Sequence, residues 1–111
     1  MSDEGRCELR ITRRYDASVE EVWRALTDPD SVARWLAPPP GVQPRTTEGE
    51  HVLELEWQPP GEEPSVVRFE VRSEGGRTVL VLDHRQLAAT RGMRYMAAWS
   101  RVLERFEREL P

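Results

Sequence analysis

A chain of 111 residues, 38% apolar and 32% charged, has the size of one domain, residues 1–111, with a single small core. Sixteen Arg against twenty Asp and Glu give a net charge of −4, with no basic run, which argues against nucleic acid or an anionic membrane as a partner. No apolar run approaches the ~18 residues of a membrane span, MSDEGRCELR has no signal-peptide core, and the lone Cys7 excludes an internal disulfide framework, so a cytoplasmic protein is expected.

Residues 6–14, RCELRITRR, alternate strictly, with Cys7, Leu9 and Ile11 on one side, and read as a half-buried strand. In YDASVEEVWRALTDPDSVARWL, Ser18 and Glu21 form a capping box, and Val19, Val22, Trp23 and Leu26 fall on one helical face. Asp28–Pro29 is a second start signal, a cap residue followed by a proline whose missing N–H costs nothing there, and Val32, Trp35 and Leu36 give that short helix its apolar side. Residues 37–50, APPPGVQPRTTEGE, carry four prolines and read as a loop in which only VQPRTT has room for a scrap of edge strand.

From Glu50 onward the pattern is a three-strand meander. HVLELEW puts Leu53, Leu55 and Trp57 on one face; SVVRFEVR puts Val67, Phe69 and Val71 inward; RTVLVLDHR puts Thr78, Leu80, Leu82 and His84 on one face and Val79, Val81 and Asp83 on the other. SEGG between the last two is a tight hairpin, its glycines suited to positive φ. The final stretch, RGMRYMAAWSRVLERFEREL, repeats Met96, Trp99, Leu103, Phe106 and Leu110 at 3-4-3-4 spacing, predicting a helix of about five turns. There is no Lys or Asn, and Ile11 is the only isoleucine, which fits the codon bias of a GC-rich bacterial genome.

This order of elements, with these residues, resembles the START-like helix-grip superfamily (SRPBCC), and within it the heat-shock-protein ATPase activator-homologue subfamily. The resemblance rests on the run Ala25–Leu26–Thr27–Asp28–Pro29 after Val22–Trp23, on Trp35, on Thr78, Leu80, Leu82 and His84 in a T-x-L-x-L-x-H strand, and on Ala98–Trp99, Leu103 and Phe106 in the last helix. It implies an α+β fold in which a curved antiparallel sheet wraps a long C-terminal helix, with two short helices after strand one and a ligand cavity between sheet and helix. Family members usually carry two or three further strands where this chain has its proline-rich loop. About four strands are therefore expected, 6–14 beside 77–85, then 65–72, then 50–57, with two open edges unless 42–47 covers one. Pairing of chains through an edge, or through the outward Val66, Val79 and Val81, would make a homodimer.

The resemblance also implies non-catalytic binding of a small hydrophobic molecule, lined by Trp35, Leu55, Trp57, Phe69, Leu82, Met96 and Trp99, with His84 as one polar handle. Plain packing competes for the same residues. An empty apolar cavity of ~300 Å³ would cost about 7 kcal/mol at ~24 cal/mol per Å³, against a whole-domain stability of about 5–15 kcal/mol. The alternative is a small dimeric adaptor or co-chaperone-like module with a collapsed cavity. Residues 37–50 discriminate: lying over a pocket they favour a ligand, packed into the core they favour the adaptor.

Nothing in the chain assigns a catalytic residue, a metal or a cofactor, and the expectation is a protein that is not an enzyme. Asp83 and His84 are strand neighbours pointing to opposite faces, so the one does not orient the other. His51 at a strand start is expected to face solvent. Two His and one Cys fall at no ligand spacing, and GVQPR and GGRT are turns and no phosphate loop.

Overall fold

The computed structural model describes residues 5–45 and 49–111. Its elements, in chain order, are β1 (Arg6–Tyr15), α1 (Val19–Thr27), α2 (Pro29–Trp35), β2 (Val42–Arg45), β3 (Val52–Trp57), β4 (Ser65–Glu74), β5 (Arg77–Ala88) and, after a short 3-10 turn, α3 (Gly92–Glu107). The helix starts are built by the expected atoms. Glu21 N–H donates to Ser18 Oγ at 3.1 Å and Ser18 N–H to Glu21 Oε1 at 2.9 Å, both halves of a capping box. Asp28 closes α1 and opens α2 at once, its N–H donating to Arg24 O while its carboxylate accepts from Ser31 N–H at 3.1 Å. Ala37, in the left-handed conformation at φ 45°, then ends α2 by donating to Val32 O.

All strand pairs are antiparallel, in the order β1-β5-β4-β3-β2. The expected four-strand order is present, and the sheet has a fifth strand. Val42–Arg45 pairs with Glu54–Trp57, and its proline sits on the outermost strand, where a missing N–H leaves no ladder bond unmade. Gly41 (φ 89°) makes the turn into β2; a Cβ there would stand 1.9 Å from Gln58 O, so no other residue fits without moving the main chain. Residues 46–48 of the predicted 42–47 segment lie outside the described residues.

The two faces of the sheet differ in kind. The inner face holds Ile11, Leu55, Trp57, Phe69, Val71, Leu80 and Leu82, which join Val22, Leu26 and Trp35 from the short helices and Trp99, Leu103 and Phe106 from α3 in one buried cluster. The outer face is a cross-strand ladder of opposite charges. Asp83 on β5 lies opposite Arg10 on β1 and Arg68 on β4, and Glu54 on β3 opposite Arg68 and Arg45. Arg10 Nε donates to Asp83 at 2.7 Å and Arg68 to Glu54 at 3.3 Å. Hydrogen bonding and charge from Asp83 raise the Arg10 pKa further.

Of the outward apolar patch expected at Val66, Val79 and Val81, Val66 is half-buried, and Val79 and Val81 are buried between the flanking chains of this ladder, Arg14 and Arg72 beside Val79 and Thr12 and Glu70 beside Val81. Val79 and Val81 therefore present little apolar surface to a second chain. The edges are also managed within the chain, by alternating charges on β1 and by a short, proline-bearing β2. Cys7 is half-buried beside Gly92.

Candidate functional site

Beneath α3 the space between helix and sheet is filled by rings. Trp99 lies 5.2 Å from Trp57 and 6.0 Å from Phe69; Trp35 lies 5.8 Å from Phe69 and 5.1 Å from Phe106, mostly edge to face. The cavity expected between the sheet and the C-terminal helix is therefore closed by the aromatic side chains that were its expected lining. Filling the space with rings avoids the cost of an empty apolar cavity.

His84, fully buried at 0% exposure, sits in this packed half. Trp99 Nε1–H donates to its Nδ1 at 3.0 Å. An indole nitrogen only donates, so Nδ1 carries no proton and the imidazole proton is on Nε2, which donates to Ser65 Oγ at 2.8 Å; Ser65 in turn donates to Trp57 O at 3.2 Å. Burial pushes the His84 pKa down from 6.5 to about 4, so the ring is neutral at pH 7. The Ser65–His84 pair has the spacing of a nucleophile and its base but the opposite proton placement: the imidazole donates to the hydroxyl and has no lone pair to take its proton. Both ring nitrogens are engaged inside the protein, so His84 does not offer the free polar handle expected of it.

A second line of hydrogen bonds runs from Trp57 Nε1–H to Tyr95 Oη at 2.8 Å, and from Tyr95 O–H to Glu62 at 2.7 Å. Burial, reinforced by that bond to Glu62, raises the Tyr95 pKa to about 12. Tyr95 also takes the place predicted for Met96. Around an α-helix Tyr95 stands about 40° from Trp99 and Met96 about 60° on the other side. Tyr95 wins because its ring packs 4.8 Å from His84 while its hydroxyl still reaches a carboxylate; Met96 is left 39% exposed. The helix also ends at Glu107, short of Leu110, which packs against the core from the following turn.

The open space lies elsewhere. Between α1 and α2 on one side and β2 and β3 on the other is an apolar groove of about 370 Å³. Leu26, Val32, Trp35 and Leu36 form its helical wall, Leu53 and Leu55 its floor, and Pro38, Val42 and Pro44 the wall contributed by the proline-rich segment. Of that segment Pro38, Val42 and Pro44 border the opening, and Val42 packs against the edge of the core. The segment supplies one side of the groove. Of the predicted lining, Trp35 and Leu55 border this space; Trp57, Phe69, Leu82, His84 and Trp99 belong to the packed half, and Met96 to the surface. Sequence reasoning missed the other ten lining residues, the least visible being Val42 and Pro44. Their one signal was the short VQPR run, apolar at alternate positions, inside a segment dominated by loop residues.

His51, expected to face solvent, is half-buried with its ring 5.3 Å from Trp23, edge to face. Among the described residues no three His, Cys, Asp or Glu gather to hold a metal ion, and no helix is long and apolar enough to cross a membrane.

The sheet order, the two short helices after β1 and the closing α3 match solved structures closely. CalU16 from Micromonospora echinospora superposes with a TM-score of 0.82 at 26% identity, covering 94% of this chain and 76% of its own. The START-like helix-grip fold is thereby shown. The chain is a helix-grip protein. A family model described as activator of Hsp90 ATPase homolog 1-like protein matches residues 16–53, from the end of β1 through α1 and α2 to the start of β3. Protein MLL2253 from Mesorhizobium loti (TM-score 0.77, 19% identity, 93% of this chain, 96% of that one) and a structure described as the Aha1 dimer from Colwellia psychrerythraea (TM-score 0.70, 15% identity, 87% and 90%) share the fold. A comparison with curated protein sequences gives no match.

Proposed function

We propose that this helix-grip protein binds a small hydrophobic molecule non-covalently, as a carrier or sensor, in the groove between its short helices and β2–β3. The observation that carries this reading is the groove's wall: of its twelve lining residues only Thr27 is polar, and the volume of about 370 Å³ lies within the range of small-molecule sites. Under α3 the inner face is filled by aromatic rings, which leaves this groove as the apolar space open to a ligand beside the short helices.

Native mass spectrometry of freshly purified protein tests it. A small-molecule adduct that is lost on denaturation, and absent from a Leu53→Trp variant whose larger ring fills the floor, is the expected result. Bare wild-type protein that also fails to take up added apolar compounds overturns it. The second reading is a homodimeric adaptor, favoured by the dimeric Colwellia neighbour and by Met93 and Met96, the two exposed large apolar residues on α3. A sedimentation mass equal to the monomer at tens of micromolar removes that reading.

A further inference from the structure

The groove is bare of polar partners even where it meets water. None of its lining residues is charged, and its exposed ones, Thr27, Pro29, Ala33, Pro38 and Pro44, are no exception. Only two of the lining side chains carry an N–H or O–H, and both protons are spent inside the protein. Thr27 Oγ1 donates to Trp23 O at 2.8 Å, and Trp35 Nε1–H donates to Ala25 O at 3.0 Å. Pro29, Pro38 and Pro44 have no backbone N–H to offer. The Thr27 oxygen keeps lone pairs, but Thr27 is exposed, so water reaches them.

Charged residues on the flanking elements are committed elsewhere. Arg34 donates to Glu109 at 2.8 Å, the Asp28 carboxylate accepts from Ser31 N–H at 3.1 Å, and Arg45 pairs with Glu54 and Glu56 at 3.9 Å. A site that took amphipathic molecules by the head would carry a charge or a free side-chain N–H on its rim; this rim carries prolines and an alanine. An ionised group brought against such a wall gives up hydration and gains no partner, a cost that an apolar body does not meet. We infer that the ligand of this groove is an uncharged, hydrocarbon-like molecule, and that the groove discriminates against acids and amines built on the same skeleton. This rests on the groove being the binding site. The net charge of −4 would by itself weaken binding of an acid and favour an amine, so rejection of both signs is the mark of the bare wall.

Equilibrium dialysis against naphthalene, 2-naphthoate and 2-naphthylmethylammonium, which share one ring system read by its absorbance, tests the selectivity directly. Naphthalene should bind wild-type protein about tenfold or more tightly than either ion. Ala33→Lys sets an ammonium on the exposed rim at a helix position that lysine suits, and there 2-naphthoate should approach the affinity of naphthalene while the ammonium probe falls further behind. Either ion binding the wild type as tightly as naphthalene, or an unchanged order of the three probes in Ala33→Lys, overturns the ligand class and leaves the groove as the site. Naphthalene bound equally well by Leu53→Trp, or none of the three probes bound by the wild type, overturns the groove reading beneath it.

Discussion

The inner face of one sheet is treated in two ways. Over β5 and β4 it is covered by α3, and the interface is closed by Trp57, Phe69, Trp99 and Phe106 with His84 threaded between them. Over β3 and β2 it is covered by two short helices and a proline-rich strand, and it stays open as a groove. The difference comes from reach. A sixteen-residue helix lays three aromatic rings along the sheet, Tyr95, Trp99 and Phe106, whereas the seven-residue α2 brings one, Trp35, and turns it toward α3. Filling one half leaves the open apolar space in the other.

The contrast makes quantitative demands. The largest concerns the closed half: Trp99→Ala should cost roughly 3–5 kcal/mol by urea denaturation, because it opens a cavity and leaves His84 Nδ1 without its donor. An unchanged melting temperature would mean that α3 does not sit on the sheet as described. Next is pH. The folded state holds His84 at about 4 against an ordinary 6.5, so between these values the unfolded chain binds a proton that the folded chain refuses. Stability from this group is full above pH 6.5 and lost as pH falls toward 4, about 3 kcal/mol in all. His84→Gln keeps an acceptor and a donor but does not titrate, so the wild type should lose most of that amount relative to the variant between pH 7 and pH 4.5. Parallel losses in the two proteins would place a charged or exposed imidazole at residue 84.

The smallest effect belongs to the open half. Leu53 is half-exposed on the groove floor, and Leu53→Ala should cost only about 1 kcal/mol, against 2–5 kcal/mol for a fully buried leucine. A loss as large as that of a core leucine would mean the groove is shut in solution.

The helices and four of the strands could be read along the chain because each depends on residues a few positions apart. The Ser18–Glu21 box, the Asp28–Pro29 start and the alternation through β3, β4 and β5 all belong to that kind. The short β2 was half-visible, since its proline reads as loop until the Leu55 edge is there to pair with it. For the site the result is mixed. Trp35 and Leu55, expected to line a cavity under the last helix, border the groove instead; its other ten lining residues were not foreseen, and His51 was taken for a surface residue because nothing nearby in sequence announces that Trp23 will cover it.

Local order, the inward face of every long strand and the core role of Trp99 and Phe106 were thus set by spacing alone, because period and capping act within one or two turns of chain. Three things were decided only by packing between distant elements: Tyr95 displacing Met96, the proton of His84 being forced onto Nε2 by a tryptophan fifteen residues away, and the open space lying beside β2 and not under α3. Each depends on which atoms fill a volume bounded by several segments, and no single stretch of chain carries that information.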